Sequence, residues 1–342
     1  MMKKTVTFGE IMLRLAPEGY YRFFQNDRMQ ATFGGAEANV AVSLANFGDR
    51  AAFVTKVPAH AVGQGAVDSL RSFGVDTSFI ARGGNRLGIY FLEKGSNQRG
   101  SVCIYDRAGS AIAEASPSDF DWNDILDDAG WFHFTGITPA LSKNAFLCCL
   151  DAVRAAKERG ITVSCDLNYR GKLWSKDAAR EAMGELCRCV DVCIANEEDA
   201  KSVFGIEATG TDVYSGKINK EGYIEVAEKM IEKFGFSAVA FTLRTSISAS
   251  VNDWTAMLYD GKDAFFAREY HISDIVDRVG GGDSFGAGLI YALKNGYDKQ
   301  KAIEFAVAAS CLKHTIEGDF NRVTLAEVEK LMSGDASGRV RR

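Results

Sequence analysis

Residues 277–288 read Asp-Arg-Val-Gly-Gly-Gly-Asp-Ser-Phe-Gly-Ala-Gly, so three consecutive glycines precede an acid and an apolar helical pattern. Apolar residues from Phe285 to Leu293 recur on one helix face, and Gly296 suits the end of that helix. The glycine run therefore lies at a helix N-terminus, where backbone N–H groups face outward and the helix dipole adds about half a positive charge. Such a turn suits an anion, and in particular a transferring phosphoryl group.

Asp283 follows the glycine run and falls in the first turn of the predicted helix. A free aspartate has a pKa of about 3.9, so Asp283 is expected to be ionised at neutral pH and able to accept a proton from an attacking hydroxyl. We predict a phosphotransferase in which Asp283 is the base and the amides of Gly280, Gly281 and Gly282 hold the developing charge. The alternative is that Asp283 only caps the helix, although three glycines exceed what a cap needs.

The composition is that of an ordinary globular protein. The 342 residues allow one large α/β domain or two smaller ones, with 46% hydrophobic and 25% charged residues. A net charge of −5 without a long basic run argues against nucleic acid and anionic membrane as partners. No apolar run approaches the ~18 residues of a membrane span, and the N-terminus lacks a signal-peptide pattern, so we expect a cytoplasmic protein.

The eight cysteines include no C-x-x-C pair, and several fall in apolar runs. We expect reduced, buried thiols, as is typical of a reducing compartment. A zinc site at Cys187, Cys189 and Cys193 is the alternative, but its spacing differs from the common zinc patterns. His133 lies in an apolar strand and is expected to be a core residue.

From about residue 130 the chain alternates strands and helices, which predicts a parallel sheet with helices on both faces. Strands are predicted at 130–134, 161–166, 191–195, 237–243, 256–260 and 263–268. Helices are predicted at 142–158, 177–188, 197–204, 222–234, 283–295, 299–315 and 324–332. Upstream, helices from Glu37 to about Phe47 and from Val62 to Phe73 flank a strand from Ala51 to Val57.

Two earlier segments differ from this rhythm. Short strands are predicted at 12–15 and 22–24, and residues 87–106 show the alternation of a β-hairpin around a turn. We predict that segments 11–33 and 87–106 form a small separate sheet.

No internal repeat, low-complexity tract or linker divides the chain. We therefore predict one domain over residues 1–332, followed by a flexible tail over 333–342. The polar segment 206–221 is predicted to be a solvated loop.

A second glycine pair, Gly34 and Gly35, opens the helix that carries Asn39. Small residues at a helix start allow a ligand to approach closely, and an asparagine can both donate and accept hydrogen bonds to sugar hydroxyls. Neither a P-loop, nor the G-x-G-x-x-G dinucleotide pattern after the first strand, nor the protein-kinase motif set occurs in the sequence.

The two glycine segments together, Gly-Gly-Ala-x-Ala-Asn-Val-Ala at 34–41 and Asp-x-x-Gly-x-Gly-Asp-x-Phe-x-x-Gly at 277–288, resemble those of the ribokinase-like (PfkB) carbohydrate kinases. The likeness covers nearly the whole chain in motif order and spacing. It implies a three-layer α/β/α sandwich with a mostly parallel central sheet and a small β-sheet lid over the sugar. It also implies ATP and Mg²⁺ as cofactors, and a homo-oligomer formed through the lid, for which Phe23 and Phe24 offer apolar surface.

The resemblance also assigns site residues. Asp283 corresponds to the family's base, and Gly280 to Gly282 form its anion hole. Asn196 opens a segment that resembles an Asn-x-x-Glu element near Mg²⁺ and phosphate. Asp199 replaces the glutamate with a shorter arm, and Glu198 is the second metal-ligand candidate.

The nucleotide is expected by the same resemblance at Thr242–Ser246, which includes Arg244, and beside Ala308, Cys311 and Leu312. A monovalent cation such as K⁺ near Asp277 and Val279 is a further implication.

Tyr90 and the segments 105–111 and 166–174 resemble the 2-keto-3-deoxygluconate kinase branch. A sugar acid needs a cationic partner, and arginine binds carboxylate through two hydrogen bonds. Substrate contacts are therefore expected from Tyr90, Tyr105, Arg107 and Arg170. Arg170 could instead face the ATP phosphates together with Asn168. Two alternatives stay open: a kinase for a neutral sugar such as fructose or ribose, and a non-catalytic sugar or nucleotide sensor on the same fold.

Overall fold

The structure is a computed structural model that describes residues 3–196, 198–209 and 219–334. Its strands, in chain order, are β1 (Lys4–Phe8), β2 (Met12–Ala16), β3 (Gln30–Gly34), β4 (Ala51–Val54), β5 (Lys56–Val57), β6 (Ala81–Arg82), β7 (Gly88–Glu93), β8 (Val102–Asp106), β9 (Ala129–Thr135), β10 (Thr162–Asp166), β11 (Val192–Asn196), β12 (Ala238–Ser246), β13 (Asn252–Tyr259), β14 (Ala264–Phe266) and β15 (Tyr270–Ile272). Its α-helices are α1 (Ala36–Asn46), α2 (Ala61–Arg71), α3 (Trp122–Ile125), α4 (Lys143–Glu158), α5 (Lys176–Leu186), α6 (Lys220–Phe234), α7 (Gly281–Lys294), α8 (Lys299–Lys313) and α9 (Leu325–Met332).

The central sheet has the strand order β14-β13-β12-β11-β10-β9-β1-β4, and β15 pairs with β13. All neighbours from β4 to β12 run parallel, whereas β13 is antiparallel to β12 and β14 is antiparallel to β13. The parallel strands therefore end at one edge of the sheet, which is where open α/β sheets bind ligands. The predicted mostly parallel sheet is confirmed.

Helices cover both faces of this sheet, as the alternation of strand residues shows. In β11, Val192 and Ile194 join an apolar cluster with α1, α2, α7, α8 and α9, while Cys193 and Ala195 join a second cluster with α4, α5 and α6. Strands buried on both faces read as continuous apolar runs. This packing produces the predicted three-layer sandwich.

A four-stranded sheet in the order β3-β2-β7-β8 stands apart from the central one. Its strands β7 and β8 form the predicted antiparallel hairpin, and β2 and β3 come from the other predicted segment. The predicted strand at 22–24 is wrong, because these residues form a turn in which Phe24 has a positive φ of 62°. Two segments distant in the chain thus build one small sheet.

Three further boundaries differ from the sequence prediction. The strand predicted over 51–57 breaks, and its last two residues pair instead with β6. The helix predicted over 197–204 is a π-helical turn at Ala200–Phe204, and Glu197 lies outside the described residues. Strand β13 begins at Asn252, four residues before its predicted start, because it pairs along the full length of β12.

The predicted loop 206–221 and tail 333–342 lie partly outside the described residues, at 210–218 and 335–342. Among the described helices, none is long and apolar enough to cross a membrane. His133 is a core residue, as expected: its Nδ1 contacts Ser164 Oγ, and burial lowers the pKa of its ring to about 3.

Candidate active site

A cleft of about 490 Å³ opens where the parallel strands end, between the central sheet and the small sheet. Strands β10, β11 and β12 contribute residues at their carboxyl ends, α7 contributes its N-terminus, and the small sheet contributes residues from β2, β7 and β8. The predicted site residues line this cleft, with three exceptions: Gly34, Gly281 and Ala308. Positions more than 200 residues apart in the chain are therefore brought together.

The three glycines before Asp283 differ in how much room each leaves for a side chain. Gly280 has φ 82°, and a side chain there would lie 2.2 Å from the carbonyl oxygen of Asp319. A side chain at Gly281 would approach the His314 ring to 2.7 Å, whereas one at Gly282 would meet no atom within 4 Å. Protein packing thus requires glycine at the first two positions. At Gly282 the open space over the helix N-terminus suits a phosphate.

Asp283 lies in the first turn of α7 and is only partly exposed. Its Oδ2 accepts a hydrogen bond of 2.6 Å from Asn39 Nδ2. Burial raises the pKa of Asp283 to about 6, although the bond from Asn39 and the charge of Arg170 oppose the shift. An aspartate with this pKa is largely ionised at neutral pH and is a better base than a solvated one.

Gly34 and Gly35 are required by packing. A side chain at Gly34 would overlap the Asp319 carboxylate at 2.1 Å, and one at Gly35 would overlap the Glu10 carbonyl at 1.9 Å. Asn39 Oδ1 accepts from the Gly35 amide, which fixes the side chain that holds Asp283. Gly35 and Asn39 line the cleft, and Gly34 does not.

Arg107 directly follows β8 and is 9% exposed, and its guanidinium pairs with Glu10. Nε and Nη2 both donate to Glu10 Oε2, at 2.7 and 2.5 Å. Ser110 holds the other oxygen of Glu10 at 2.8 Å. The sequence did not reveal this partner, which neutralises much of the charge expected to bind substrate.

Arg170 follows β10, is exposed, and makes no ion pair among the described residues. Its charge faces a group of acids at the strand ends. Burial raises the pKa of Asp166 well above its usual range, with the neighbouring Asp199 and Asp283 adding to the shift and Arg170 opposing it. Arg170 is thus a cation available to an anionic ligand.

The predicted metal ligands lie just after β11. Asp199 is 4% exposed and accepts from the amides of Tyr169 and Asn196, at 3.0 and 3.1 Å, so its oxygens already have partners. Glu198 is exposed and lines the cleft, as does Asp166 on the neighbouring strand. Within the described ranges no three side chains form a ready metal cage. One or two carboxylates suit Mg²⁺, which usually shares its coordination with phosphates and water.

The predicted nucleotide residues divide into two groups. Asn168, Asn196, Thr242 and Arg244 line the cleft. Ala308 is fully buried between the helices and is not brought to the cleft. Trp254 belongs to the buried core, and it also lines the cleft beside His314 at a ring distance of 5.3 Å. The Trp254 Nε1 donor has no partner among the described residues, so this aromatic wall has a free donor.

A buried charge network joins the small sheet to the glycine turn. Arg14 of β2 is 2% exposed and donates to Asp277 at 2.5 Å and to Asp319 at 2.8 Å. Tyr90 OH donates to the same Asp319 at 2.5 Å, so a hydroxyl predicted to bind substrate already has a protein acceptor. Arg14 and Asp319 belong to no motif, and no sequence signal identifies them.

At the segment predicted to hold a monovalent cation, backbone groups already have protein partners. The Asp277 carbonyl oxygen lies 3.4 Å from the ammonium group of Lys313, and the Val279 amide donates to Asp277 Oδ1. An ammonium group thus already stands beside these backbone atoms.

Comparisons with known proteins agree with this geometry. The family model described as pfkB family carbohydrate kinase matches residues 2–321. A 2-dehydro-3-deoxygalactonokinase of Haloferax volcanii is 32% identical over 338 residues, which is 99% of each chain.

Solved structures extend the likeness. A 2-dehydro-3-deoxygluconokinase of Thermotoga maritima has a TM-score of 0.93 and 54% identity, covering 98% of this chain and 99% of its own. A PfkB family carbohydrate kinase of Listeria grayi has a TM-score of 0.90 and 35% identity, covering 97% and 100%. With the family match spanning both the small sheet and the glycine turn of α7, this chain belongs to the pfkB family of carbohydrate kinases.

Proposed function

We propose that this kinase transfers the γ-phosphate of ATP to a hydroxyl group of a sugar acid, 2-keto-3-deoxygluconate. The Thermotoga maritima protein, 54% identical, is named for that substrate, whereas the Haloferax volcanii protein, 32% identical, is named for the galactonate epimer. The observation that carries the proposal is Asp283, which faces the cleft at the open glycine turn in a bond with Asn39.

Asp283 accepts the proton of the attacking hydroxyl. Asn39 holds Oδ2, which leaves Oδ1 for the substrate. Because burial raises the pKa of Asp283 to about 6, the carboxylate is both ionised and basic at neutral pH. Proton removal and orientation are the protein's main tasks, since phosphoryl transfer needs little covalent help.

The amides of Gly280 and Gly282, which line the cleft, and the N-terminus of α7 stabilise the charge that develops on the phosphoryl group. The Gly281 amide, predicted to share this role, instead donates to the Arg278 carbonyl oxygen at 3.3 Å. Arg244 and Asn168 line the cleft, which supports a contact with the nucleotide. Mg²⁺, when bound beside Glu198 and Asp166, would neutralise part of the negative charge of the phosphates. Asp199 accepts hydrogen bonds from the backbone amides of Tyr169 and Asn196, and so holds together the segments that follow β10 and β11. Its contribution to metal binding is therefore indirect.

Arg170 and Arg107 recognise the sugar carboxylate. Arg170 has no ion pair among the described residues, and Arg107 keeps its Nη1 group outside the bond with Glu10. Tyr105 is stacked on Tyr90 at a ring distance of 5.8 Å and carries the Arg107 guanidinium over its own ring. This arrangement supports recognition of an anionic group on the side of the cleft next to the small sheet.

A neutral sugar such as fructose or ribose is the second candidate, and one observation favours it. Glu10 is 2% exposed and fully engaged with Arg107, so that arginine alone does not create net positive charge. The two candidates therefore differ in whether Arg170 matters for substrate binding.

A coupled assay of ADP release with Mg-ATP tests the proposal. The panel holds 2-keto-3-deoxygluconate, its galactonate epimer, fructose, ribose and a nucleoside. We expect preference for the keto-deoxy acids, and a rise in KM of about tenfold or more for Arg170→Met, because a charge-assisted bond is lost. The matched control is Arg154→Met, which removes an exposed arginine paired with Glu185, remote from the cleft.

Asp283→Asn is expected to lower kcat by at least about 100-fold, while nucleotide binding stays near wild type. Near-normal turnover of this variant would remove Asp283 as the base. Preference for fructose or ribose, with Arg170→Met unchanged, would establish the neutral-sugar candidate instead.

We also propose that residues 1–332 form one kinase domain with lid segments 11–33 and 87–106. The lid would pair with a second copy of the chain, since Phe24 is 85% exposed and Ile104 on the outer strand β8 is 51% exposed. The eight cysteines are all free, which supports a working location in the reducing cytoplasm.

A further inference from the structure

We infer that the ammonium group of Lys313 is a built-in cation that fixes the phosphate-binding turn and takes the place of a bound monovalent ion. This inference rests on the proposed placement of the transferred phosphate at Gly280–Gly282. It concerns a residue that none of the sequence motifs contains.

Lys313 is the last residue of α8, and its side chain is fully buried. Its Nζ donates to the carbonyl oxygen of Ile316 at 3.0 Å and to that of Asp277 at 3.4 Å. One carbonyl belongs to the loop after α8, and the other belongs to the loop that leads into the glycine turn. The ammonium group therefore ties the two loops together.

The glycine turn at Gly280–Gly282 packs against the Lys313 side chain. A side chain built at Gly280 would come within 3.3 Å of Lys313 Cε, so the lysine stem packs under the first glycine of the anion site. The two loops also meet through the amides of Val276 and Asp277, which donate to the His314 carbonyl. A movement of Lys313 would thus displace the backbone that presents the phosphate-binding amides.

The surrounding charges favour a cation at this point. Asp277 and Asp319 are both nearly fully buried, and Arg14 pairs with each of them. Arg14 alone would leave one negative charge of this buried group unbalanced, and an unpaired buried charge is costly. Burial lowers the pKa of Lys313 from its ordinary value, and the nearby acids Asp277, Asp319 and Asp283 oppose that shift.

Backbone carbonyl oxygens are also the ligands with which proteins bind K⁺. Here the Asp277 carbonyl already serves an ammonium group, and Asp277 Oδ2 is occupied by Arg14 and the Gly318 amide. An inorganic ion would have to displace Lys313 from full burial. Lys313 is therefore a positioning residue, and the native enzyme should not depend on K⁺.

The first measurement uses the unaltered protein. Turnover in potassium chloride is compared with turnover in tetramethylammonium chloride at equal ionic strength, because the larger ion does not fit a carbonyl site. The inference expects values equal within about twofold, since a salt effect on surface charges is common to both buffers. Activation by K⁺ of about tenfold or more would overturn it.

The second measurement uses Lys313→Met, which keeps the stem and removes the charge. We expect kcat to fall by about tenfold or more in tetramethylammonium chloride, with partial recovery in ammonium or potassium chloride. Lys294→Met is the matched control, because this half-buried lysine of α7 binds Asp49 and Thr5 away from the cleft. Lys294→Met should show no recovery by cations.

Melting temperatures give a readout that needs no substrate. Lys313→Met should melt at a higher temperature in potassium than in tetramethylammonium chloride, because a bound ion stabilises the folded state. Wild type and Lys294→Met should show no such difference. Full activity of Lys313→Met without K⁺, or a loss that neither ion reverses in a variant that melts like wild type, would refute the role.

These outcomes separate the two proposals. If wild type transfers phosphate to no sugar on the panel, the proposed substrate fails, while the ion-dependent melting of Lys313→Met still decides the role of the lysine. If Lys313→Met does not fold in either salt, the K⁺ response of wild-type turnover decides it.

Discussion

Replacing Asn39 with alanine is expected to shift the pH dependence of catalysis. Asn39 Nδ2 donates to Asp283 Oδ2 at 2.6 Å, and this bond lowers the pKa of an aspartate that burial raises to about 6. A hydrogen bond to a charged group is worth about 1.5 kcal/mol, and one pKa unit corresponds to about 1.4 kcal/mol. Without the bond, the pKa of Asp283 should rise by about one unit, to about 7.

The base works only when ionised, so kcat/KM falls as the pH drops through the pKa of Asp283. At pH 6 the ionised fraction should fall from about 0.5 in wild type to about 0.1 in Asn39→Ala, whereas at pH 8 it should stay above about 0.9 in both. The variant should therefore lose about fivefold in kcat/KM at pH 6 from ionisation, and almost nothing from this cause at pH 8. The assay is coupled ADP release with the preferred sugar at fixed Mg-ATP.

Asn46→Ala is the control, since Asn46 lies on the same helix and donates to the Asn321 main chain instead of to the base. The fall of its kcat/KM at acidic pH should have the same midpoint as that of wild type. An Asn39→Ala profile with the wild-type midpoint, or an equal shift in Asn46→Ala, would refute the argument that Asn39 tunes Asp283.

Two further predictions concern the turn and its support. Gly282→Ala should melt like wild type, because its side chain meets no protein atom, yet lose at least about tenfold in kcat/KM for ATP, because that side chain enters the space over the helix N-terminus. Gly281→Ala should melt at a lower temperature, because its side chain would press on His314. Intact ATP kinetics in Gly282→Ala would contradict the phosphate placement. Arg14→Met should lower the free energy of unfolding in urea by about 3–5 kcal/mol, because it leaves the Asp277 carboxylate buried without its cation. A loss below about 1 kcal/mol would show that solvent reaches this network.

Local patterns predicted much of the fold. The alternating strands and helices after residue 130 were found close to their predicted positions, because apolar periodicity reports which side chains are buried. The hairpin over 87–106 was confirmed for the same reason. The strand predicted at 22–24 was wrong, because alternation over three residues cannot show that no neighbouring strand is available for pairing.

The candidate site also has parts that the sequence predicted and parts that only the folded chain revealed. The glycine run and Asp283 could be recognised because a helix start and its anion-binding amides depend only on neighbouring residues. The bond between Asn39 and Asp283 joins positions 244 residues apart, and only the folded chain shows it. Likewise, Ala308 was assigned to the nucleotide from its place in the chain, but the rotation of α8 turns it into the core.

The sequence by itself determined the class of fold, and it singled out the glycine turn and Asp283 as the candidate phosphate site and base, since each depends on backbone preferences and periodicity over a short stretch. Only the tertiary structure decided which charges are available. Arg107 is paired with Glu10 and Lys313 is enclosed by carbonyl groups, whereas Arg170 makes no ion pair among the described residues. The physical reason is that the effect of a charge depends on its burial and its nearest partners. Both are set by contacts between segments that lie far apart in the chain.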